Sequence, residues 1–189
     1  MKTFFKTPAL STQRLVTLAM LIAIAFVISQ FDIRIIPNQL QITLTFLVNA
    51  VIGAIAGPIW GFVSLAVLDL STIFLSPDAA NFLPAWTLME AATGFLYGLF
   101  FYGKELSWSS KKSWLYVSFA IMIIMLFSTF IMTPLLLQVY FKYDFVAQYI
   151  AGRWLKIFEI PIRIIATMAI LPQLQRIPEL RKLMGLTKS

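Results

Sequence analysis

Six ionisable side chains lie inside long apolar stretches of this sequence, and these residues are the first candidates for chemistry. They are Asp69, Glu90, Arg153, Lys156, Glu159 and Arg163. A charged side chain is costly within a bilayer, so it normally faces protein or water and marks a binding or transport site. The six residues are therefore our starting set of functional candidates.

Arg153 and Lys156 are three residues apart, which places both cations on one face of a helix. A pair of cations near the end of a helix would attract a carboxylate or a phosphate. Long basic side chains also extend toward the membrane surface at little cost. The spacing alone leaves an anion site and simple surface exposure equally open.

Glu159 follows Lys156 by three residues and precedes Arg163 by four, an arrangement that favours a structural ion pair. Asp69 and Glu90 lie in the middle of two other apolar stretches. Each of these carboxylates is expected either to bind a polar ligand or to pair with Arg163 or Arg153, and the sequence does not decide between the two.

Two further patterns favour contacts with a ligand or a partner. Phe82 and Trp86 flank the start of an apolar stretch, where Trp is typically an interface anchor or, alternatively, a stacking wall for a flat ligand. Ala19 and Ala23 form a small-xxx-small pair, which allows another helix to approach closely. Packing within the chain explains the alanine pair equally well.

The amino-acid composition indicates the class of protein in which these residues lie. Hydrophobic residues make up 60% of the 189 positions and charged residues 12%, whereas soluble domains average about 25% charged residues. Continuous apolar stretches predict membrane helices rather than a barrel. The sequence contains no Cys and no His, which excludes disulfides, thiol nucleophiles and imidazole ligands, and we expect no metal and no cofactor.

The sequence therefore predicts an all-α integral membrane protein, a single domain over residues 1–189 with six transmembrane helices. The breaks between the predicted helices are expected at Pro37, Gly57-Pro58, Ser76-Pro77 and the polar segment 103–113. The predicted helices cover about 12–29, 41–56, 59–75, 84–102, 114–138 and 149–171, followed by a basic tail over 172–189. Ser11 is the expected N-cap of the first helix, Pro134 is expected to bend the fifth, and Pro161 to interrupt the sixth.

The net charge of +7 reflects an uneven distribution of Lys and Arg between the two sides of the predicted membrane topology. With an even number of spans, one side holds both termini and most of the loop cations: Lys2, Lys6, Arg14, Lys104, Lys111, Lys112, Arg176, Arg181, Lys182 and Lys188. The loops of the opposite side hold Arg34 and Lys142. The positive-inside rule then places both termini in the cytoplasm, and nucleic-acid binding is not expected.

Four segments together resemble the folate-type substrate-binding subunits (S components) of energy-coupling-factor vitamin importers. They are LVTLAMLIAIAFVIS, LQITLTFLVNAVIGAIAGPIWGFV, FLPAWTLMEAATGFLYGLFF and GRWLKIFEIPIRIIAT. The resemblance covers the predicted helices in order. It implies a non-catalytic subunit of the bacterial plasma membrane that captures a vitamin outside the cell. A transmembrane coupling subunit and two cytoplasmic ATPases would then drive its delivery.

The resemblance also implies roles for particular residues. Arg153 and Lys156 match the family's basic pair and would meet a carboxylate of the vitamin, while Trp86 matches an aromatic residue near the pocket, with Phe82 beside it. Gln41, Asn49 or Glu90 would orient the ligand. Ala19 and Ala23 match the helix-1 signature that packs on the coupling subunit, and the long first loop corresponds to a lid.

Departures from the family pattern bear on which vitamin is bound. Gln41 stands where the folate binders often have Arg, Val48 stands where they often have Pro, and Glu90 stands where a neutral residue is common. Folate is the expected ligand and pantothenate the alternative. Two more distant hypotheses are a self-sufficient solute carrier and a membrane enzyme that uses Asp69 and Glu90 as an acid–base pair.

Overall fold

The described chain is almost entirely helical. The computed structural model describes residues 7–30, 33–36, 40–42, 44–75 and 82–186, the second and third of these ranges as backbone alone. The elements, in order, are α1 (Thr12–Ser29), β1 (Ile33–Ile36), β2 (Leu40–Ile42), α2 (Thr45–Phe74), α3 (Pro84–Phe101), α4 (Lys111–Met125), a π-helical segment (Leu126–Met132), α5 (Thr133–Phe141), α6 (Phe145–Ile150), a 3-10 segment (Arg153–Phe158), α7 (Glu159–Leu174) and α8 (Pro178–Leu183).

Three of the described helical stretches are long and apolar enough to cross a membrane, judged by length and composition. They are Thr12–Ser29, Thr45–Phe74 and Lys111–Phe141. The bounds of α1 coincide with those predicted, and the predicted cap is confirmed because Ser11 Oγ accepts the backbone N–H of Arg14 at 3.2 Å. Most of the surface of α1 is exposed, including large apolar side chains such as Met20 and Val27. An exposed apolar surface of this kind is expected in lipid.

The helix α2 is interrupted at Gly57, whose φ of 71° lies in the left-handed region. Pro58 follows at the start of the next helical turn, where a missing N–H is tolerated. A Cβ on Gly61 would lie 3.9 Å from the Cα of Gly53, although eight residues of straight helix would separate these positions by about 12 Å. The two limbs of α2 therefore fold back on each other at the predicted Gly57-Pro58 break.

Glycines allow α3 to pack tightly against both limbs of α2. A Cβ on Gly94 would lie 2.9 Å from the carbonyl carbon of Gly61 and 2.9 Å from the Cβ of Leu65. A Cβ on Gly53 would lie 2.6 Å from the Cβ of Tyr97. Small residues at helix interfaces in membranes permit this backbone approach. The packing fixes the α2 and α3 side chains relative to each other.

The loop after α1 contains two short strands, which the all-helical prediction missed. Strands β1 and β2 pair antiparallel, with Arg34 opposite Gln41. The predicted second helix was to begin at Gln41, but the helix begins at Thr45. The alternation of apolar and polar residues in LQIT fits a strand as well as a helix end, so pairing with β1 decides its conformation.

The predicted fifth helix, 114–138, is longer than expected and changes register in its middle. It begins at Lys111, passes through the π-helical segment, and ends at Phe141 before Lys142, whose φ is 60°. Ser110 caps its first turn. A π-turn inserts one extra residue into the helical ladder and leaves carbonyl groups without their usual partners.

The prediction of one helix over 149–171 was wrong. This region is divided among α6, the 3-10 segment and α7, and α7 continues to Leu174. The break lies at Gly152, with φ of 123°, instead of at Pro161. Pro161 occupies the first turn of α7, where its missing N–H does no harm.

The predicted basic tail is an ordered part of the fold up to residue 186. Arg14 is buried on α1, and its guanidinium donates to Leu183 O at 3.0 Å and to Ala9 O. The backbone N–H of Gly103 donates to Met184 O at 2.9 Å. The N-terminal segment, the loop after α3 and the end of α8 therefore meet at one end of the molecule.

Candidate functional site

A cavity of about 380 Å³ lies between α2, α3, the π-helical segment, the 3-10 segment and α7. Its described lining consists mostly of polar and charged side chains with some apolar ones: Thr45, Phe46, Asn49, Leu65, Leu68, Asp69, Thr72, Met89, Glu90, Thr93, Tyr97, Ile124, Ser128, Thr129, Thr133, Arg153, Lys156 and Arg163. Five of the six ionisable residues identified in the sequence therefore border one space.

The fold explains why residues far apart in sequence meet here. The reversal at Gly57 places Asn49 of the first limb of α2 and Asp69 of the second limb beside the same cavity. On α3, Met89, Thr93 and Tyr97 recur every four residues and so share one face, with Glu90 adjacent to it. The glycine contacts between α2 and α3 hold this wall together.

Arg153 is held beside the cavity by a hydrogen bond to a backbone carbonyl that the π-helical segment leaves free. The N–H of Thr133 bonds to Ser128 O, five residues earlier, instead of to Thr129 O. Thr129 O instead accepts Nη1 of Arg153 at 2.9 Å. Within the described residues Arg153 has no carboxylate partner, so its positive charge remains available to an anion in the cavity.

Two neighbouring side chains attach α6 to the same stretch of helix. Pro134 has no N–H to offer Phe130 O, which accepts the hydroxyl of Tyr149. The amide Nε2 of Gln148 donates to Pro134 O at 3.1 Å. These bonds and the Arg153 bond hold α6 and the 3-10 segment beside the cavity.

The other two cations of the cavity are bound to Glu159. Arg163 donates to Glu159 Oε2 at 3.0 Å, and Lys156 Nζ lies 3.7 Å from Glu159 Oε1. Glu159 is buried, with 3% of its surface exposed, and the guanidinium of Arg163 also lies 4.7 Å from the ring centroid of Phe46. The predicted structural role of Glu159 and Arg163 as an ion pair is thus observed.

The carboxylates of the α2 and α3 wall have different partners. Asp69 Oδ2 accepts the hydroxyl of Thr87 at 2.6 Å. Glu90 makes no hydrogen bond or ion pair within the described parts of the chain, and it borders the cavity together with Asp69 and Arg163. Neither carboxylate therefore forms the ion pair with Arg153 or Arg163 that the sequence left open.

Asn49 is the third polar group of this wall with unfilled bonding capacity. It is 9% exposed, and its Oδ1 has no hydrogen-bond partner among the described residues. A buried amide oxygen without a donor is unfavourable. A polar ligand or water in the cavity would remove that cost if the amide turned toward it.

Four of the seven predicted ligand residues line the cavity: Asn49, Glu90, Arg153 and Lys156. Trp86 and Phe82 are half-buried and are not part of the described lining; the Phe82 ring lies 5.7 Å from that of Phe74. The backbone of Gln41 lies in β2, which contacts the 3-10 segment, and its side chain lies outside the described atoms. Ala19 and Ala23 are both exposed on α1.

Sequence reasoning missed several residues that shape the site. Tyr97, Phe46 and the hydroxyls of Ser128, Thr129 and Thr133 border the cavity, and Tyr149 positions α6. Their signal was weak because aromatic and small hydroxyl residues occur throughout membrane helices. The Ser-Thr pair shortly before Pro134 was the visible clue, since Pro releases a carbonyl and hydroxyls often accompany such breaks.

The chain is similar to proteins of one family. Residues 13–175 match the family model described as "ECF transporter, substrate-specific component". The chain is 64% identical over 183 residues, 97% of this chain and 98% of the relative, to "Folate transporter FolT" of Streptococcus mutans serotype c. It is 29% identical over 120 residues, 63% of this chain and 60% of the relative, to "Folate transporter FolT" of Leuconostoc mesenteroides subsp. mesenteroides.

A solved structure has the same fold. "Crystal structure of FolT bound with folic acid" superposes with a TM-score of 0.72 at 30% identity, and the match covers 84% of this chain and 93% of that one. The family match spans most of the chain, including every described element that borders the cavity. This protein is a multi-pass membrane protein that belongs to the family of substrate-specific components of ECF transporters.

Proposed function

We propose that this chain binds folate on the outer side of a bacterial plasma membrane and delivers it through an ATP-driven ECF module. The observation that carries the proposal is Arg153, a cation that borders a cavity, is held by the Thr129 carbonyl and has no described carboxylate partner. The names of its relatives and of the superposed structure support folate as the ligand.

The chemistry of folate fits the described lining. Folate has a flat heterocycle with N–H groups, an aromatic linker and a glutamate end with two carboxylates. Arg153 and Lys156 supply positive charge for the carboxylates, and Phe46 and Tyr97 supply aromatic surface. A cavity of about 380 Å³ lies within the usual size range for small-molecule sites, roughly 300–1,000 Å³.

We assign the closing elements of the site to the loops around it. The β1–β2 pair forms the lid in this proposal, and contact between β2 and the 3-10 segment brings the lid, with Gln41, next to Arg153. Trp86 lies in the first turn of α3 and Phe82 just before the helix, both at least one turn before Glu90. In this proposal they contact the ligand when the lid closes over it.

The transport cycle requires partners in this proposal. The sequence contains no GxxxxGK[ST] phosphate loop, so two cytoplasmic ATPases supply the energy and a transmembrane coupling subunit transmits it. Ala19 and Ala23 are exposed on α1, four residues apart, and therefore offer a flat strip to the coupling subunit. The chain itself is a binding subunit and catalyses no reaction.

We infer a single domain with six spans and both termini in the cytoplasm. The two limbs of α2 count as separate spans because they fold back at Gly57. Trp60 Nε1 donates to Pro8 O at 3.1 Å, so the turn at Gly57 lies near the N-terminal segment. The same end holds the described N-terminal segment, the end of α8 and the cationic loop after α3, which is the pattern of a cytoplasmic face.

Equilibrium binding of tritiated folate to the purified protein in lipid nanodiscs tests the proposal. We expect saturable submicromolar binding that excess pantothenate does not displace. Binding no tighter than micromolar, or displacement by pantothenate at lower concentration than by folate, would reject folate as the ligand. Uptake of folate by vesicles that contain this chain alone, without ATP, would instead support a self-sufficient carrier.

A further inference from the structure

The α2 and α3 wall of the cavity carries hydrogen-bond acceptors that the described protein atoms leave largely unfilled. Among the described residues, Glu90 on α3 has no hydrogen-bond partner, and Asp69 on α2 has one, the hydroxyl of Thr87 at 2.6 Å. An ionised carboxylate has room for about four hydrogen bonds and can donate none. A ligand that contacts this wall must therefore bring donors.

The cations that line the cavity do not donate hydrogen bonds to Glu90 or Asp69 in the described structure. Arg163 donates through Nε and Nη2 to Glu159 Oε2, and Lys156 lies beside Glu159 Oε1. Arg153 donates to Thr129 O. Arg163 borders the same cavity as Glu90 but bonds to another carboxylate. No described cation therefore occupies the oxygen atoms of Glu90, which stay available to a ligand in the cavity.

The position of Asp69 is fixed independently of any ligand. Thr87 lies one turn before Glu90 on α3, and its hydroxyl binds Asp69 across the helix interface. The close glycine packing of α2 on α3 holds both carboxylates in one wall. Two acceptors on a rigid wall match a ligand edge with adjacent N–H groups, as in an amino-lactam ring.

We propose that Glu90, with Asp69 beside it, is the specificity-determining acceptor for the amino-lactam edge of the ligand's heterocycle, while Arg153 binds the carboxylate end. This orientation rests on the proposed function. A site built to hydrogen-bond a donor strongly rejects an analogue that lacks it, because the buried acceptor is then left unpaired. The ring, and not the glutamate end alone, then determines which molecules are retained.

Binding of ligand fragments distinguishes the contacts to the ring of folate from the contacts to its glutamate end. Wild-type protein and the variants Glu90→Gln, Asp69→Asn and Arg153→Gln are each titrated with folate, with 6-hydroxymethylpterin as the ring fragment, and with 4-aminobenzoylglutamate as the tail fragment. We expect Glu90→Gln to weaken folate and the ring fragment at least about tenfold and to leave the tail fragment unchanged. Arg153→Gln is expected to show the opposite pattern, and Asp69→Asn a smaller loss confined to folate and the ring fragment.

A second measurement needs no variant. An analogue of folate with methyl in place of the 2-amino group keeps the tail and the ring shape but loses donors. We expect wild-type protein to bind it at least about tenfold more weakly than folate. Equal binding would overturn the inference, as would an unchanged affinity of Glu90→Gln for folate or an equal loss of both fragments in that variant. Failure of wild-type protein to bind folate at all would reject the proposed function itself.

Discussion

Arg153 and Thr129 are joined by a hydrogen bond of 2.9 Å from the guanidinium Nη1 to the backbone carbonyl. The carbonyl is free because the π-helical segment directs the N–H of Thr133 to Ser128 O. A distortion in one helix thus holds a cation of another segment without neutralising it. A carboxylate partner would hold Arg153 as firmly but would compete with an anionic ligand.

Replacing Arg153 is expected to impair binding more than any other single change at a cation. Arg153→Gln removes the charge while keeping a donor for Thr129 O. Loss of a desolvated charge partner costs about 2–5 kcal/mol, so the folate Kd is expected to rise at least about 30-fold. Titration of the purified variant measures this, and Arg176→Gln, at an exposed position, is the matched control. Wild-type affinity in Arg153→Gln would remove Arg153 from the site.

Pro134 is expected to support binding although it does not line the cavity. Pro134→Ala restores an N–H that can bond to Phe130 O, in competition with the hydroxyl of Tyr149. We expect folate affinity to fall by about three- to tenfold, with thermal stability unchanged or higher, because a residue unfavourable inside a helix is removed. Leu135→Ala, at a neighbouring exposed position, is the control. Equal losses in both variants would show that the effect is not specific to the freed carbonyl.

Gly94 is expected to tolerate no side chain. A Cβ there would meet the carbonyl group of Gly61 and would lie 2.9 Å from the Cβ of Leu65. Overpacking of this kind costs about 1–3 kcal/mol, so Gly94→Ala should lower the temperature of thermal aggregation in detergent and the yield of folded protein. Leu88→Ala, on an exposed face of the same helix, is expected to behave as wild type. An equally stable Gly94→Ala variant would contradict the packing of α2 on α3.

Large residues on α1 are expected to separate binding from transport. Ala19→Trp or Ala23→Trp places a bulky side chain on the strip proposed to face the coupling subunit, and neither alanine belongs to the described lining of the cavity. Folate binding by the isolated subunit should remain within about twofold of wild type, whereas co-purification with the ECF module and ATP-driven uptake should be lost. Leu115→Trp, on an exposed position of α4, is the control for bulk in lipid. Normal uptake by both alanine variants would place docking elsewhere.

Much of the fold could be predicted because membrane helices leave strong local signals. Apolar length, the Gly57-Pro58 pair and the Pro84 helix start gave element bounds close to those observed. The strand at Leu40–Ile42 could not be predicted in the same way, since three residues become a strand only by pairing with β1. The break at Gly152 was assigned to Pro161 because a proline is visible in sequence, whereas a positive φ is not.

The charged side chains of the candidate site could be predicted from the sequence, but the backbone carbonyl that binds Arg153 could not. Intramembrane ionisable residues are few, so Arg153, Lys156 and Glu90 stood out by type alone. The partner of Arg153 is a backbone atom, and no residue type identifies a carbonyl that a register shift has freed. Trp86 was selected for its type and place, but the direction of its side chain depends on how α3 is rotated against α2.

Arg14 ties α1 to α8, since its guanidinium donates to Leu183 O from a buried position on α1. During synthesis α1 is made long before α8, so this cation gains its acceptor only after Leu183 has been added. Synthesis of α8 is therefore coupled to the stability of α1. A chain that stopped before Leu183 would leave a buried guanidinium without this acceptor, which would destabilise α1.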